Sequence, residues 1–423
     1  MVISTTSRVK MRGEIIAIGT ELIIGGITET NSLFLSTELT RAGIEVGFKT
    51  IIGDIEGDIE LTLKRALERS PLIITTGGLG LTADDLTRKV VSRLTKRRLV
   101  LREDLLEKIT RKFESIGREM PKGYSRQALI PSQAFAIENP LGTAPGFIIE
   151  HNGSLLISLP GVPSEMEMMY KETVKDFIVK KVEGRGIILI KRIRTFGLPE
   201  MSINESIKDL FKLRDAYIGL LAKPTGVDIR IILRGKKEEE VSSLVGEIEE
   251  KARGAIGDYI YGVDDETMES VVGLLLKKMG LTLSVAESCT GGLIGHRLTN
   301  VPGSSGYIES VLVTYGNRAK TEILGVPLET IKEYGSVSAQ TASSMAERVR
   351  EVNRTDLGLA VTGIAGPGGG TPTKPVGLVY TALADGKDTL CRFHHFSGTR
   401  EEVKLNSSQM ALDILRRYLL AGR

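Results

Sequence analysis

The chain has 423 residues, a length that favours two or three domains, each with its own core, over a single compact one. With 41% hydrophobic and 26% charged residues the composition is globular and excludes a mainly disordered or fibrous protein. A net charge of +3, no long Lys/Arg tract and no tryptophan leave no electrostatic footprint or stacking platform for nucleic acid.

Cys289 and Cys391 are the only cysteines, too few for a disulfide framework or a cysteine-rich zinc site, and a reducing, cytoplasmic location is expected. Residues 1–7 lack the apolar core of a signal peptide, and the first ten or so are expected to fray. No run approaches the roughly 18 apolar residues of a membrane span, so no membrane partner is expected.

In chain order, residues 14–18, 45–52 and 72–75 read as strands and 31–42 and 59–68 as amphipathic helices. Such alternation predicts a mainly parallel sheet between helices, a three-layer α/β domain over 12–180 that closes with a helix near 166–180. Glycine-rich loops follow two strands, Gly19-Thr20-Glu21-Leu22 and Thr76-Gly77-Gly78-Leu79-Gly80-Leu81-Thr82-Ala83-Asp84-Asp85. Both should face the side where ligands collect beyond strand carboxyl ends. Glycines that cradle phosphate, followed by Thr82 and the pair Asp84 and Asp85, suit a metal-assisted phosphoryl site, although either aspartate could instead cap a helix.

After the polar junction 183–186, residues 187–262 predict a small α+β module: strands at 187–195, 216–221 and 227–233, helices at 201–210 and 237–252. Turns at Gly257-Asp258 and Gly262-Val263-Asp264-Asp265 lead to an α/β domain over 267–423. Its strands are predicted at 281–285, 308–314, 357–361, 377–384 and 389–395, and its last helix at 399–420.

The most informative stretch is Ala286-Glu287-Ser288-Cys289-Thr290-Gly291-Gly292, between the first of those strands and a helix at 293–298. Unpaired N–H groups at that helix start would favour an anion or a developing oxyanion. A serine nucleophile needs a base, and none of His151, His296, His394 and His395 lies beside a glycine-framed serine in sequence. A desolvated lysine with a tyrosine relay is the alternative, and Tyr315 and Lys320 could point into one cleft with Ser305. Equally, Tyr315 could end a strand and Lys320 be a solvated helix residue. The loop Gly363-Ile364-Ala365-Gly366-Pro367-Gly368-Gly369-Gly370 could wrap a ligand or be merely flexible, and Arg400 could meet phosphate or solvent.

These segments, with Gly303-Ser304-Ser305, Val313-Thr314-Tyr315-Gly316-Asn317, Lys374-Pro375-Val376-Gly377 and Phe396-Ser397-Gly398-Thr399-Arg400, resemble the nicotinamide-nucleotide amidohydrolase domain of the CinA family. The resemblance implies hydrolysis of nicotinamide mononucleotide (NMN) to nicotinate mononucleotide and ammonia, as part of pyridine-nucleotide recycling, without a cofactor. It implies Ser305 as nucleophile, with Ser304 as the adjacent candidate, and Tyr315 and Lys320 as the proton carriers. Ser288, Thr290, Gly291, Ser304, Thr362 and Gly363 would line the nucleotide and Arg400 would hold its phosphate. Cys289 is expected to pack as a small buried residue.

The N-terminal part, continuing through Asn139-Pro140-Leu141-Gly142-Thr143-Ala144-Pro145-Gly146 and Leu159-Pro160-Gly161-Val162-Pro163-Ser164-Glu165-Met166, resembles the molybdopterin-binding-type domain of the same family. That resemblance implies ADP-ribose pyrophosphatase activity with a divalent metal, cobalt or magnesium, and potassium. Gly19, Thr20, Glu21, Gly77, Gly78, Gly80 and Thr82 would hold the nucleotide, and Asp84 and Asp85 the metal. Leu81 stands where the family usually has proline, which removes a restraint on that loop. The alternatives are a pterin or nucleotide binder without turnover, or an accessory role in competence; a homodimer is implied in either case.

Overall fold

The computed structural model describes residues 12–182, 187–213, 216–235 and 237–422; the N-terminal residues 1–7 and the junction 183–186 lie outside the described residues. The chain forms two compact units. One runs to Leu189 and takes in Leu233–Ser242; the other holds Ile190–Ile232 and Ser243–Arg423.

In the first unit the strands are β1 (Arg12–Ile18), β2 (Glu45–Ile52), β3 (Leu72–Thr76), β4 (Leu99–Leu101), β5 (Leu129–Pro131), β6 (Phe135–Ile137), β7 (Gly146–His151) and β8 (Ser154–Leu159). Six of them form one sheet in the order β2-β1-β3-β8-β7-β6, while β4 and β5 make a separate antiparallel pair. Strands β2, β1, β3 and β8 are parallel and β7 and β6 are antiparallel. The period-2 alternation of strand side chains sends Ile16, Ile73, Ile149 and Leu156 into one core and Ile15, Ile74, Ile148 and Ile157 into another. Helices Glu56–Arg69, Thr87–Leu94 and Glu103–Ser115 close the first core, and Asn31–Arg41 and Pro163–Met169 the second. All four parallel strands therefore end on one edge, where the loops after Ile18, Ile52, Thr76 and Leu159 gather.

Largely within the second unit, β9 (Ile187–Thr195), β10 (Ala216–Lys223), β11 (Gly226–Gly235) and β12 (Ile260–Val263) make a sheet in the order β10-β11-β9-β12, accompanied by helices Glu200–Ser206 and Glu238–Ile256. A second sheet has β13 (Leu283–Glu287), β14 (Ile308–Val313), β15 (Leu357–Gly363), β16 (Leu378–Ala384) and β17 (Thr389–His395) in the order β14-β13-β15-β16-β17. Its first three strands are parallel and its last two antiparallel.

The register partners Ala286, Ala360 and Ala382 make a shelf of small side chains on one face of this sheet. Helix Ala339–Asn353 lies on that shelf through Ala342, Met345, Ala346 and Val349. On the other face Leu283, Val285, Leu359 and Val361 meet helices Met268–Met279 and Arg400–Leu420. Capping boxes start both of these, Thr267 with Ser270 and Thr399 with Glu402. The last helix also binds the small sheet's neighbourhood, since Arg416 donates to the carbonyl of Asp258 at 2.6 Å and Arg417 lies over the Tyr259 ring. No helix among the described residues is long and apolar enough to cross a membrane.

Candidate functional site

In the second unit the carboxyl ends of the three parallel strands bring together Ser288 after β13, Thr314 and Tyr315 after β14, and Thr362 and Gly363 at the end of β15. Lys320, on the short helix Asn317–Glu322, turns back into this edge and is 1% exposed. Its Nζ donates to Ser288 Oγ at 2.9 Å, to the Thr314 carbonyl at 2.8 Å and to the Tyr315 carbonyl at 3.0 Å. None of these acceptors is a carboxylate, so desolvation outweighs what they return and brings the Lys320 pKa down from its ordinary value near 10.5 to about 8. At pH 7 about a tenth of such a group is free amine, within hydrogen-bond reach of a buried hydroxyl. That is a nucleophile with its base.

Ser305 does not join this pair, which corrects the nucleophile expected from the sequence. It lies on the turn Ser304–Gly306, exposed, just before β14 begins at Ile308, whereas Tyr315 and Lys320 follow the end of β14. A six-residue strand lies between them, about 20 Å at roughly 3.3 Å per residue. Ser304 is on the same turn, so it too stands at the opposite sheet edge and does not line the site.

The anion hole expected at the start of helix Leu293–Thr299 is filled by the protein itself. The Glu287 carboxylate, fully buried, accepts from the N–H groups of Gly292 at 2.9 Å, Ile294 at 3.2 Å and Gly295 at 2.8 Å. An internal carboxylate thus meets the unpaired N–H groups that would otherwise attract a ligand. The N–H groups of Cys289 and Thr290, immediately after Ser288, donate to no oxygen among the described contacts but lie against the Cys289 sulfur. The Thr290 hydroxyl is buried and without a partner. Burial pushes the Cys289 thiol up to about 12, so it stays protonated and packs in the core.

Tyr315 is 57% exposed, and its phenol accepts from Arg400 Nη2 at 2.8 Å rather than contacting the Lys320 amine. Arg400 also donates to the Gly366 carbonyl. Both side chains, with Ser336, Gly363, Gly368 and Lys374, line a cavity of about 450 Å³ that carries no acidic residue. The Thr362 hydroxyl holds one wall by donating to the Ser336 carbonyl at 2.7 Å. Gly291 lies on the other side of Ser288, where a Cβ would come within 3.7 Å of Lys404 Nζ.

In the first unit, Gly77 follows β3 at φ +102°, and a Cβ there would sit 2.0 Å from the Ile18 carbonyl oxygen, so only glycine lets the loops after β1 and β3 meet. Gly78, also in the left-handed region, packs against Thr87, whose hydroxyl donates to the Gly77 carbonyl at 2.9 Å. Buried Arg88 donates to the Leu79 carbonyl at 2.6 Å.

Asp84 and Asp85 depart from the expected metal pair. Asp85 accepts from the Gly80 N–H at 2.7 Å and from the Thr82 N–H at 2.8 Å and also from the Thr82 hydroxyl, so its oxygens are committed to its own loop. Asp84 is exposed, and neither aspartate caps helix Thr87–Leu94, whose N-cap is Leu86. Among the described residues no group of three or more His, Cys, Asp or Glu side chains converges as a metal cage.

Asp54, after β2, was missed: it accepts from the Thr20 N–H at 2.6 Å, and its own N–H donates to the Thr20 hydroxyl at 3.1 Å. The signal was present, since Gly53-Asp54 follows a strand just as Gly19-Thr20-Glu21 does. Asn31 was missed as well. It donates to Thr76 Oγ1 and the Gly161 carbonyl, both at 2.8 Å, and Glu21 stands exposed nearby in sequence.

Residues 265–419 match the family model described as the CinA C-terminal domain, residues 14–180 that of a "Probable molybdopterin binding domain", and residues 190–262 the damage-inducible protein CinA KH domain. A relative from Caldanaerobacter subterraneus subsp. tengcongensis, named "Putative competence-damage inducible protein", is 43% identical over 409 residues, 97% of this chain and 98% of its own. The "CinA-like protein" of Dictyoglomus thermophilum is 43% identical over 411 residues, 97% of this chain and 100% of its own. Among solved structures, the competence/damage inducible protein CihA from Agrobacterium tumefaciens is 41% identical, covering 36% of this chain and 93% of that one, with a TM-score of 0.35.

Proposed function

The chain belongs to the CinA family, and on that premise we propose that its C-terminal part hydrolyses the carboxamide of NMN to nicotinate mononucleotide and ammonia, with Ser288 as nucleophile and Lys320 as base. The observation that carries this reading is the contact of 2.9 Å between a buried, unpaired lysine and a buried serine. Ser288 Oγ forms a bond to the carboxamide carbon as its proton passes to neutral Lys320 Nζ. The Cys289 and Thr290 N–H groups, next in sequence to Ser288, are the donors proposed for the resulting oxyanion, and each such donor can contribute roughly 3 kcal/mol to a transition state. Lys320 returns the proton to the departing amine, which leaves as ammonia, and a serine ester of the nicotinate remains. Water then gives a proton to Lys320, attacks the ester and releases the acid, and Ser288 recovers its proton. Tyr315 and Arg400 form the wall beside this chemistry. Purified full-length protein should release ammonia from NMN, and none released would end the proposal.

For the N-terminal part the proposal is ADP-ribose pyrophosphatase activity, supported by the meeting of the loops after Ile18 and Thr76 at Gly77 and by Thr20 joined to Asp54 on the same sheet edge. Exposed Asp84 is the carboxylate left to hold a divalent ion, cobalt or magnesium, which would supply neutralisation of the substrate's phosphate charge, with potassium beside it. Binding of a pterin or nucleotide without turnover is the second reading, favoured by Asp85 being committed to its own loop. Formation of AMP and ribose 5-phosphate from ADP-ribose separates the two. A cytoplasmic homodimer is part of the same proposal and rests on the family resemblance.

A further inference from the structure

The cavity that Tyr315 and Gly363 line is also lined by two cations, Arg400 and Lys374, and neither meets a carboxylate. Their duties differ. Arg400 spends its two terminal nitrogens on the Gly366 carbonyl and the Tyr315 phenol, and so braces the wall. Lys374 donates once, to the Tyr334 carbonyl at 2.6 Å, which leaves two N–H donors of its ammonium group without partners. The surface it rests on is fixed, because the Gly335 carbonyl accepts from Ser338 Oγ at 2.9 Å and from Thr341 Oγ1 at 2.7 Å. A Cβ at Gly335 would lie 2.8 Å from Lys374 Nζ, so glycine is what admits the ammonium group there. The turn from Thr371 to Lys374 is closed by three hydrogen bonds of 2.8 to 3.2 Å. Gly368 and Gly369 line the same cavity, their N–H groups donate to no oxygen among the described contacts, and Gly369 has φ +86°. Successive free N–H groups with a lysine in an acid-free cavity form a concavity suited to an anion.

We propose that Lys374, with the N–H groups of Gly368 and Gly369, is the subsite for the phosphate of a mononucleotide, and that it selects phosphorylated over unphosphorylated nucleosides. This deepens the amidohydrolase reading and rests on it.

The test uses the full chain and its Lys374→Met and Lys374→Arg variants, measuring ammonia release from NMN and from the same nucleoside without its phosphate. Lys374→Met should lower the ratio of the two kcat/KM values by about tenfold or more, chiefly through KM for the nucleotide, as expected when one charge-assisted hydrogen bond is lost. Lys374→Arg should restore much of that ratio. An unchanged ratio overturns the proposal. If the parent protein releases no ammonia at all, the reaction has been misassigned, and calorimetric titration with inorganic phosphate decides the subsite separately: binding that Lys374→Met abolishes supports it, and equal binding by both proteins overturns it.

Discussion

Lys320 Nζ and Ser288 Oγ lie 2.9 Å apart although they are 32 positions apart in sequence, and the lysine's three acceptors are a hydroxyl and two carbonyls rather than a carboxylate that would hold its charge. Ser288→Ala should therefore abolish ammonia release, with a loss of about 10³-fold or more, the scale seen when a nucleophile is removed. Ser305→Ala should stay near the parent rate, because that hydroxyl sits at the far end of β14. Side-by-side initial rates with NMN check both, and the reverse order of effects would return the nucleophile to Ser305.

The same burial sets a pH dependence. With Lys320 at about 8, kcat/KM should climb about tenfold per pH unit below that value and level off above it, because only the free amine accepts a proton. Lys320→Arg should be inactive across the range, since a guanidinium stays charged. Stability follows the opposite linkage to that of a stabilised cation. The folded pKa is lower than the unfolded one, so the unfolded chain binds more protons between them, and stability is gained as pH rises from about 8 to about 10.5. Relative to Lys320→Met the gain is at most on the order of 3 kcal/mol. Denaturant unfolding at several pH values checks its sign.

Much of this architecture can be read without coordinates. The alternation of apolar strands and amphipathic helices gives two α/β folds with a small module between them, and the glycine loops mark strand ends. What composition and spacing do not reveal is which strands are neighbours. Ser288 meets Lys320 only because β14 lies beside β13, an adjacency decided by how the whole sheet packs. The misplacement of Ser305 was avoidable: residues 308–314 read as a strand, and a strand between Ser305 and Tyr315 puts them at opposite edges. Glu287 was hidden for another reason. A carboxylate inside a strand-to-helix motif looks like part of the binding chemistry until its three N–H partners are seen.

Glu287 should accordingly be required for the fold around Ser288. Glu287→Ala leaves three N–H groups, two of them buried, without an acceptor, a loss of about 3 kcal/mol or more. For a unit of this size that corresponds to a fall in Tm of roughly 6 °C or more. Glu287→Gln keeps one acceptor oxygen and should fall between the two. Thermal unfolding of the full chain followed by circular dichroism checks this, and an alanine variant as stable as the parent would count against the role assigned to Glu287.

In the N-terminal unit, no cluster of three potential ligands converges among the described residues. Cobalt or magnesium alone should therefore leave Tm unshifted, and a shift should appear when ADP-ribose and metal are added together, because binding raises Tm only where the folded state offers a site. A clear shift with metal alone would point to ligands other than Asp84.

Asp85 gives the last prediction. Its carboxylate ties Gly80 and Thr82 together in the loop where Leu81 replaces the family's usual proline. Without that ring, the hydrogen bonds to Asp85 carry more of the loop's order, so Asp85→Ala should weaken ADP-ribose binding more than Asp84→Asn does. The Leu81 N–H donates to no oxygen among the described contacts, and proline there would sacrifice no hydrogen bond. Where its backbone angle suits the ring, Leu81→Pro should restrict the unbound loop by about 0.4–1 kcal/mol and recover part of the affinity in the Asp85→Ala background. Calorimetric titration of the parent, the three single variants and the Leu81→Pro, Asp85→Ala double variant with ADP-ribose measures this. If Leu81→Pro weakens binding in both backgrounds, the loop depends on a leucine conformation that proline cannot adopt, and Asp85 is not substituting for the missing restraint.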